Sequence, residues 1–177
     1  MLEVIIAILT ITAFLTGTLQ LMAVDALYRV RAERQAQANF WIQDDFENTK
    51  YIASGLDVKS DPKFVSPDVC TNTSEGYATA LRRLLTETPL STTTIPTKQL
   101  VVVETPKKED FKNFLGKNYS LYRTFNIADQ SANPHRLLIE YEVRLADPKT
   151  ANDYPNQENV IAKSSVEVIP DASFKCP

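Results

Sequence analysis

The residues that could carry out chemistry in this chain are few and lie far apart in sequence. The 177 residues include two cysteines, Cys70 and Cys176, and one histidine, His135. Because His135 has no nearby cysteine and falls in a predicted turn, we expect a solvated side chain and not a metal ligand. The cysteines, 176 − 70 = 106 residues apart, suit a disulfide in an oxidising compartment or two free thiols in a reducing one.

The acidic and basic residues form no catalytic pattern. Asp44 and Asp45 are adjacent in sequence, so we expect both to be exposed and not arranged for acid–base work. No P-loop, nucleophile elbow, zinc motif or dinucleotide fingerprint occurs. The net charge is −3 and the basic pair Lys107-Lys108 is too small to attract nucleic acid. The sequence therefore predicts neither an enzyme nor a protein that binds a cofactor or nucleic acid.

The amino-terminal segment is apolar over the length of a membrane span. Val4–Val24 contains 21 consecutive uncharged residues between Glu3 and Asp25. A helix of that length extends roughly 31 Å, about the thickness of a bilayer's hydrocarbon core. A cleaved secretory signal would begin with basic residues and end in a small-x-small site, and this run has neither feature. The run therefore predicts a transmembrane helix.

Two charge features bear on the kind of anchor that this helix forms. A carboxylate such as Glu3 at the edge of an apolar run serves no purpose in a simple anchor, unless it faces the headgroups and water. Arg29, Arg31 and Arg34 follow the run, and no basic residue of this chain precedes it. The positive-inside rule would then place the large domain in the cytoplasm, unless basic residues precede Met1.

The segment Met1–Leu9, MLEVIIAIL, resembles the mature start of type IV pilins and type II secretion pseudopilins. That family has a short basic leader ending in Gly, then a Phe, a Glu at the fifth mature position and an apolar helix. If Glu3 is that glutamate, the leader and the first two mature residues lie upstream of Met1, and the leader supplies the cytoplasmic charge. The Gly and the Phe are not in this sequence, so processing and N-methylation follow from the resemblance alone.

The resemblance implies that the helix assembles with copies of itself. In that family the glutamate pairs with the amino terminus of a neighbouring subunit, and here Glu3 would take that role and fix axial register. Gly17 weakens the helix by about 1 kcal/mol, so it is a candidate for helix loosening or for close helix packing. The implied partners are other pilin or pseudopilin subunits, the inner membrane before assembly, and a prepilin peptidase.

The helix is expected to continue beyond the membrane. Good helix formers dominate from Asp25 to about Tyr51 without Gly or Pro, and Gly55 marks the end. Residues 31–37 are polar nearly all round and predict a solvated stretch. An apolar stripe at spacings of three and four then follows, interrupted by Asp45, and predicts packing on a sheet. Its members are Ala38, Trp41, Ile42 and Phe46.

The remainder of the chain predicts an antiparallel sheet. A loop at 56–74, a short helix from Ser74 to about Thr86 and a Thr/Pro-rich link at 86–97 come first. Alternating or continuous apolar patterns then predict four strands. These are Gln99–Thr105, Ser120–Ala128, Arg136–Ala146 and Val160–Ile169. The expected fold class is α+β, with a long amino-terminal helix, membrane-spanning in its first half, packed on an antiparallel sheet of about four strands, as in pilins.

These elements predict three parts of the chain. They are a transmembrane or assembly half of the helix (1–24), an extramembrane half (25–54) and a globular domain (55–177). Pilins often carry a disulfide near the carboxy terminus, and a bridge between Cys70 and Cys176 would tie the tail of the last strand to the loop after the helix.

The sequence therefore favours a structural subunit, a minor pilin or pseudopilin of a type IV pilus or type II secretion-like filament. It would be anchored in a bacterial inner membrane with its domain in the periplasm, and later enter an extracellular or periplasmic filament. Two alternatives stay open: an anchored binding or accessory domain that never polymerises, and an anchored enzyme.

Overall fold

The structure, a computed structural model, describes residues 2–101, 119–145 and 159–176. Its elements in chain order are α1 (Leu2–Gly55), α2 (Tyr77–Leu85), β1 (Lys98–Val101), β2 (Tyr119–Asn126), β3 (Leu137–Leu145), β4 (Val160–Val168) and a 3-10 helix (Asp171–Lys175). The predicted α+β class is confirmed, with one long helix at the amino terminus and an antiparallel sheet. The chain divides into two compact units, Met1–Gln37 and Ala38–Pro177, and α1 contributes residues to both.

The helix α1 is continuous over 54 residues because its sequence contains no proline and only two glycines, Gly17 and Gly55. The helix ends at Gly55, as the sequence predicts. From Ala38 onward one side of the helix is buried. The predicted apolar stripe is present and longer than expected, whereas Phe46 is only half-buried. The buried members are Ala38, Trp41, Ile42, Asp45, Thr49 and Ala53.

The sheet has the strand order β1-β2-β3-β4, and each strand pairs antiparallel with the next. Arg123 of β2 lies opposite Tyr141 of β3, and Tyr141 lies opposite Ser164 of β4. All four predicted strands are present, and their ends agree with the prediction to within two residues where the structure describes them. Residues 102–105 of the first predicted strand lie outside the described residues.

The strict alternation of β3 creates the centre of the hydrophobic core. Every second side chain of β3 is buried to 1% exposure or less, and Leu121 and Phe125 of β2 lie on the same inner face. The rest of the core comes from the packed part of α1, the loop after it, α2, β4 and the 3-10 helix. Burial of each such side chain stabilises the fold by about 1.5–3 kcal/mol. The buried β3 residues are Leu137, Ile139, Tyr141, Val143 and Leu145.

The helix α2 begins where its backbone meets the turn before β3. The Ala78 N–H donates to the Pro134 carbonyl at 2.9 Å, and the Tyr77 N–H donates to His135 Nδ1 at 3.3 Å. A side chain at Gly76 would overlap the Pro134 carbonyl, so only glycine fits this approach. The predicted helix is therefore present, but it starts at Tyr77 and not at Ser74.

Candidate functional site

The first part of α1 exposes an apolar surface along its whole length. Between Leu2 and Val24, thirteen large hydrophobic side chains are from 47% to 74% exposed. Exposure on this scale is unfavourable in water and marks a surface that meets lipid or other protein. By length and composition α1 can span a membrane. The thirteen are Leu2, Val4, Ile5, Ile6, Ile8, Leu9, Ile11, Phe14, Leu15, Leu19, Leu21, Met22 and Val24.

The threonine hydroxyls within this apolar run donate hydrogen bonds to carbonyls of the same helix. The Thr12 hydroxyl donates to the Ile8 carbonyl and the Thr16 hydroxyl to the Thr12 carbonyl, both at 2.7 Å. The hydroxyls of Thr10 and Thr18 bond in the same way to carbonyls one turn earlier. Hydroxyl groups with internal partners do not oppose transfer into a hydrocarbon environment. The four threonines are therefore compatible with a membrane-embedded helix.

Glu3 is the single charged residue among residues 1–24 of the sequence. Its side chain is exposed in the first turn of α1 and forms no ion pair or hydrogen bond with the residues that the structure describes. A carboxylate near a helix amino terminus interacts favourably with the helix dipole. In lipid it would still require a cationic partner from outside this chain's described residues.

Gly17 lies in the middle of the apolar run in regular helical backbone. A Cβ at this position would meet no atom within 4 Å, so the glycine is not required by packing within one copy of the chain. The hydroxyl bonds of Thr16 and Thr18 to the preceding turn flank it, and such bonds often bend helices. Loosening of the helix at Gly17 stays a prediction.

A buried ion pair joins the packed part of α1 to the sheet. Arg123 Nη2 donates to Asp45 Oδ1 at 2.7 Å, and the two side chains are 7% and 8% exposed. The Tyr141 hydroxyl and Thr49 Oγ1 lie 3.5 Å apart in the same layer. The prediction that Asp45 is exposed beside Asp44 is therefore wrong. Only Asp44 is exposed, because successive residues of a helix point about 100° apart.

The buried setting governs the ionisation of this pair. Burial raises the pKa of the Asp45 carboxyl above its usual range, and the Arg123 charge opposes that rise. Burial also raises the pKa of the Tyr141 hydroxyl, and the neighbouring Asp45 charge adds to the effect. The Arg123 guanidinium therefore stabilises the charged form of the Asp45 carboxyl against burial. The sequence does carry a signal for the pair, because each residue is the lone charge on an otherwise apolar face.

A second ion pair, between Arg83 and Glu75, holds the loops around α2 and was not predicted from the sequence. The Arg83 guanidinium forms two hydrogen bonds with the Glu75 carboxylate, at 2.7 and 3.0 Å. The same side chain donates to the carbonyls of Pro89 and Thr92, at 3.0 and 2.9 Å. Arg83 is buried to 3% exposure. One side chain thus ties the loop before α2, at Glu75, to the loop after α2, at Pro89 and Thr92.

The two cysteines form a disulfide, and the histidine accepts a hydrogen bond from the start of α2. Cys70 and Cys176 form the predicted disulfide, with their Cα atoms 5.2 Å apart, and the bridge joins the loop after α1 to the chain terminus. His135 is half-buried against α2 and accepts from the Tyr77 N–H, so the prediction of a solvated side chain is wrong. Its turn packs on a helix start that is 58 residues distant, which local sequence does not reveal.

Within the described residues, no group of three or more His, Cys, Asp or Glu side chains could hold a metal ion. The chain instead combines an exposed apolar helical segment, with the Glu3 carboxylate in its first turn, and a sheet domain cross-linked by a disulfide. The chain matches no protein-family model, no curated protein and no solved structure. The function is therefore inferred from the residues and the fold alone.

Proposed function

We propose that the chain is a structural subunit, a minor pilin or pseudopilin of a type IV pilus or type II secretion-like filament. Residues 4–24 of α1 anchor it in a bacterial inner membrane and later bundle with the same segment of neighbouring subunits. The sheet domain lies in the periplasm before assembly and provides the surface for other partners. A prepilin peptidase processes the chain, as the resemblance of Met1–Leu9 implies.

The observation that carries the proposal is the exposed carboxylate of Glu3 at the head of an apolar run whose large side chains are all exposed. A simple anchor gains nothing from this carboxylate, whose transfer toward the membrane centre costs about 2.5–3.5 kcal/mol. A neighbouring subunit's amino terminus offsets that cost and defines one axial position. Assembly then proceeds through packing of apolar side chains, with Glu3 selecting the register.

Three further features support the assignment. The packed part of α1 is fixed to the sheet by an apolar stripe and the Asp45–Arg123 pair, so force on the helix reaches the domain. The Cys70–Cys176 disulfide suits an oxidising compartment such as the periplasm. The threonine hydroxyls of the apolar run are satisfied internally, as a lipid phase requires.

Replacement of the carboxylate tests the proposal directly. Glu3→Gln keeps the shape and removes the charge, so the variant should insert into membranes as the native chain does yet fail to enter filaments. We expect at least a tenfold loss, about 1.4 kcal/mol, of chain in the filament fraction sheared from cells. Asp25→Asn removes the carboxylate at the other end of the apolar run and is the matched control, with no loss expected.

The two outcomes separate the proposal from its main alternative. Loss of filament incorporation for Glu3→Gln alone supports an assembly role for this residue. If the native chain never leaves the membrane fraction, and both variants behave alike, the chain is a non-polymerising membrane-anchored binding or accessory domain.

A further inference from the structure

An open groove of about 510 Å³ lies between the packed part of α1 and the end of β4, within residues 38–177. Its walls are charged, with three carboxylates and one ammonium group, so its net charge is −2. The mixture of charge and apolar surface is typical of a protein interface and not of a small-molecule pocket. The charged and aromatic residues that line the groove are Phe46, Glu47, Lys50, Tyr51, Glu167 and Asp171.

The charges of the groove are available to a partner. Among the described residues, Glu47 pairs only with Lys50, at 3.5 Å, and both side chains are more than half exposed. Glu167 meets Arg136 at 3.5 Å, also in solvent. Exposed pairs of this kind stabilise by about 0–1 kcal/mol. A better-placed cation can therefore replace Lys50 at Glu47 or Arg136 at Glu167. Tyr51 is 79% exposed at the edge of the groove, where an aromatic ring can receive a cation or an apolar side chain.

A basic face of matching charge occurs elsewhere on the same chain. Arg31 and Arg34 are neighbours on α1, three residues apart, and no residue three or four positions from either of them is acidic. Arg29 differs, because Asp25 and Glu33 lie four residues away on each side of it. Neither Arg31 nor Arg34 forms an ion pair within the described part of the chain. The +2 charge of this face is therefore uncompensated.

We propose that the groove between α1 and β4 receives the Arg31–Arg34 face of α1 from a second copy of this chain. The inference rests on the proposed function and adds to it a second subunit contact, outside the apolar bundle. Charge +2 on the basic face meets −2 in the groove, and the ring of Tyr51 lies beside it. The acidic walls disfavour an anionic occupant, which excludes phosphate and anionic headgroups from the groove itself.

The contact joins two different surfaces of identical chains. Such a heterologous contact leaves one free groove and one free basic face on every pair, so further subunits can add at both ends, as a filament requires. A self-complementary contact would instead stop at a dimer. The proposed pairing therefore has the symmetry that filament growth needs, and its charges define direction as well as register.

Cysteine cross-linking of the full-length chain in native membranes and filaments tests the contact. Gln35→Cys places a thiol beside the basic face, and Ser54→Cys places one in the groove wall. When the two single variants are co-expressed and mildly oxidised, we expect a dimer that neither variant forms alone. Co-expression of Gln35→Cys with Lys59→Cys, in the loop after α1, is the control and should give no dimer above background.

Charge reversal then tests whether the contact depends on the charges of the arginines and the groove carboxylates. Arg31→Glu with Arg34→Glu should lower cross-linking about tenfold, and Glu47→Lys with Glu167→Lys should do the same. Co-expression of the two reversed chains should restore it, because the charges again match. Lys59→Glu with Lys63→Glu changes the net charge as much as the arginine reversal does and should leave cross-linking unchanged.

These outcomes are distinguishable from those that test the proposed function. If Glu3→Gln blocks filament entry but the groove never cross-links to Gln35→Cys, the contact is wrong and the filament role stands. If charge reversal leaves the yield of cross-linked dimer unchanged, the proposed contact is also wrong. A third outcome would also overturn the proposed contact. In it, the native chain binds phosphatidylglycerol vesicles, the Arg31→Glu/Arg34→Glu variant does not, and no cross-link to the groove forms. The basic face would then bind lipid.

Discussion

Asp45 and Arg123 illustrate how one pair of charges can position a helix on a sheet. Each residue interrupts an apolar pattern, Asp45 on the buried stripe of α1 and Arg123 between Leu121 and Phe125 on the inner face of β2. Their 2.7 Å hydrogen bond fixes which turn of the helix faces which residue of the strand. An apolar contact tolerates sliding, whereas this bond does not.

Removal of Arg123 alone should therefore lower the unfolding free energy far more than removal of both charges. Arg123→Met leaves the Asp45 carboxylate buried without its cation, and we expect a loss of about 3–5 kcal/mol in unfolding free energy at neutral pH. Asp45→Leu combined with Arg123→Met replaces both charges by apolar groups and should lower the unfolding free energy much less. Urea unfolding of the full chain in detergent measures both, with the fluorescence of the buried Trp41 as the probe.

The pH dependence of Arg123→Met has a defined sign. Burial already raises the pKa of Asp45 above its ordinary 3.8, and loss of the arginine raises it further. The penalty is complete above the folded-state pKa and declines as the pH falls through it, because the folded chain takes up the proton first. A penalty that grew on acidification would contradict this account of the pair.

Gly76 provides a second test at the scale of a single residue. Gly76→Ala places a methyl group against the Pro134 carbonyl, so α2 and the turn before β3 must separate. We expect a loss of about 1–3 kcal/mol in the same unfolding measurement. Gly55→Ala is the matched control, because a Cβ there meets nothing within 4 Å, and its effect should be close to zero. Equal effects of the two changes would show that the close approach is unimportant.

At the scale of elements, periodicity predicted most of the described fold. The 3.6-residue stripe after Ala38 and the two-residue alternation of β3 identify the buried faces, since a single face of each element is buried. The strand β2 departs from this rule, because Tyr122 is buried on the face opposite Leu121. What periodicity missed depends on contacts between distant segments. The pairing of Asp45 with Arg123 spans 78 residues, and the contact of His135 with the start of α2 spans 58.

The disulfide acts at this scale because it links the loop after α1 to the chain terminus beyond the 3-10 helix. Cys70→Ser with Cys176→Ser should lower the unfolding free energy by about 2–5 kcal/mol, since the bridge closes a loop with a sequence separation of 106 residues. Thermal unfolding of the purified chain, with and without reductant, measures the effect. An unchanged melting temperature in both cases would contradict a stabilising role.

For the whole molecule, the central question is what its exposed apolar helix meets. The thirteen exposed hydrophobic side chains before Asp25 predict a non-aqueous partner, and sequence alone identified that segment because a span of this length needs no tertiary contact. The register of assembly could not be predicted in the same way, since it depends on contacts between copies. Glu3 and the groove between α1 and β4 are our two proposals for those contacts.

Mass spectrometry of the amino terminus, on protein from cells that express the native locus, tests the filament-subunit account most directly. The account predicts a processed amino terminus two residues before Met1, which places Glu3 at the fifth mature position, with an N-methyl group on the first residue. An unprocessed amino terminus at Met1 would contradict peptidase processing. The chain would then be a simple membrane anchor with Glu3 facing the headgroups.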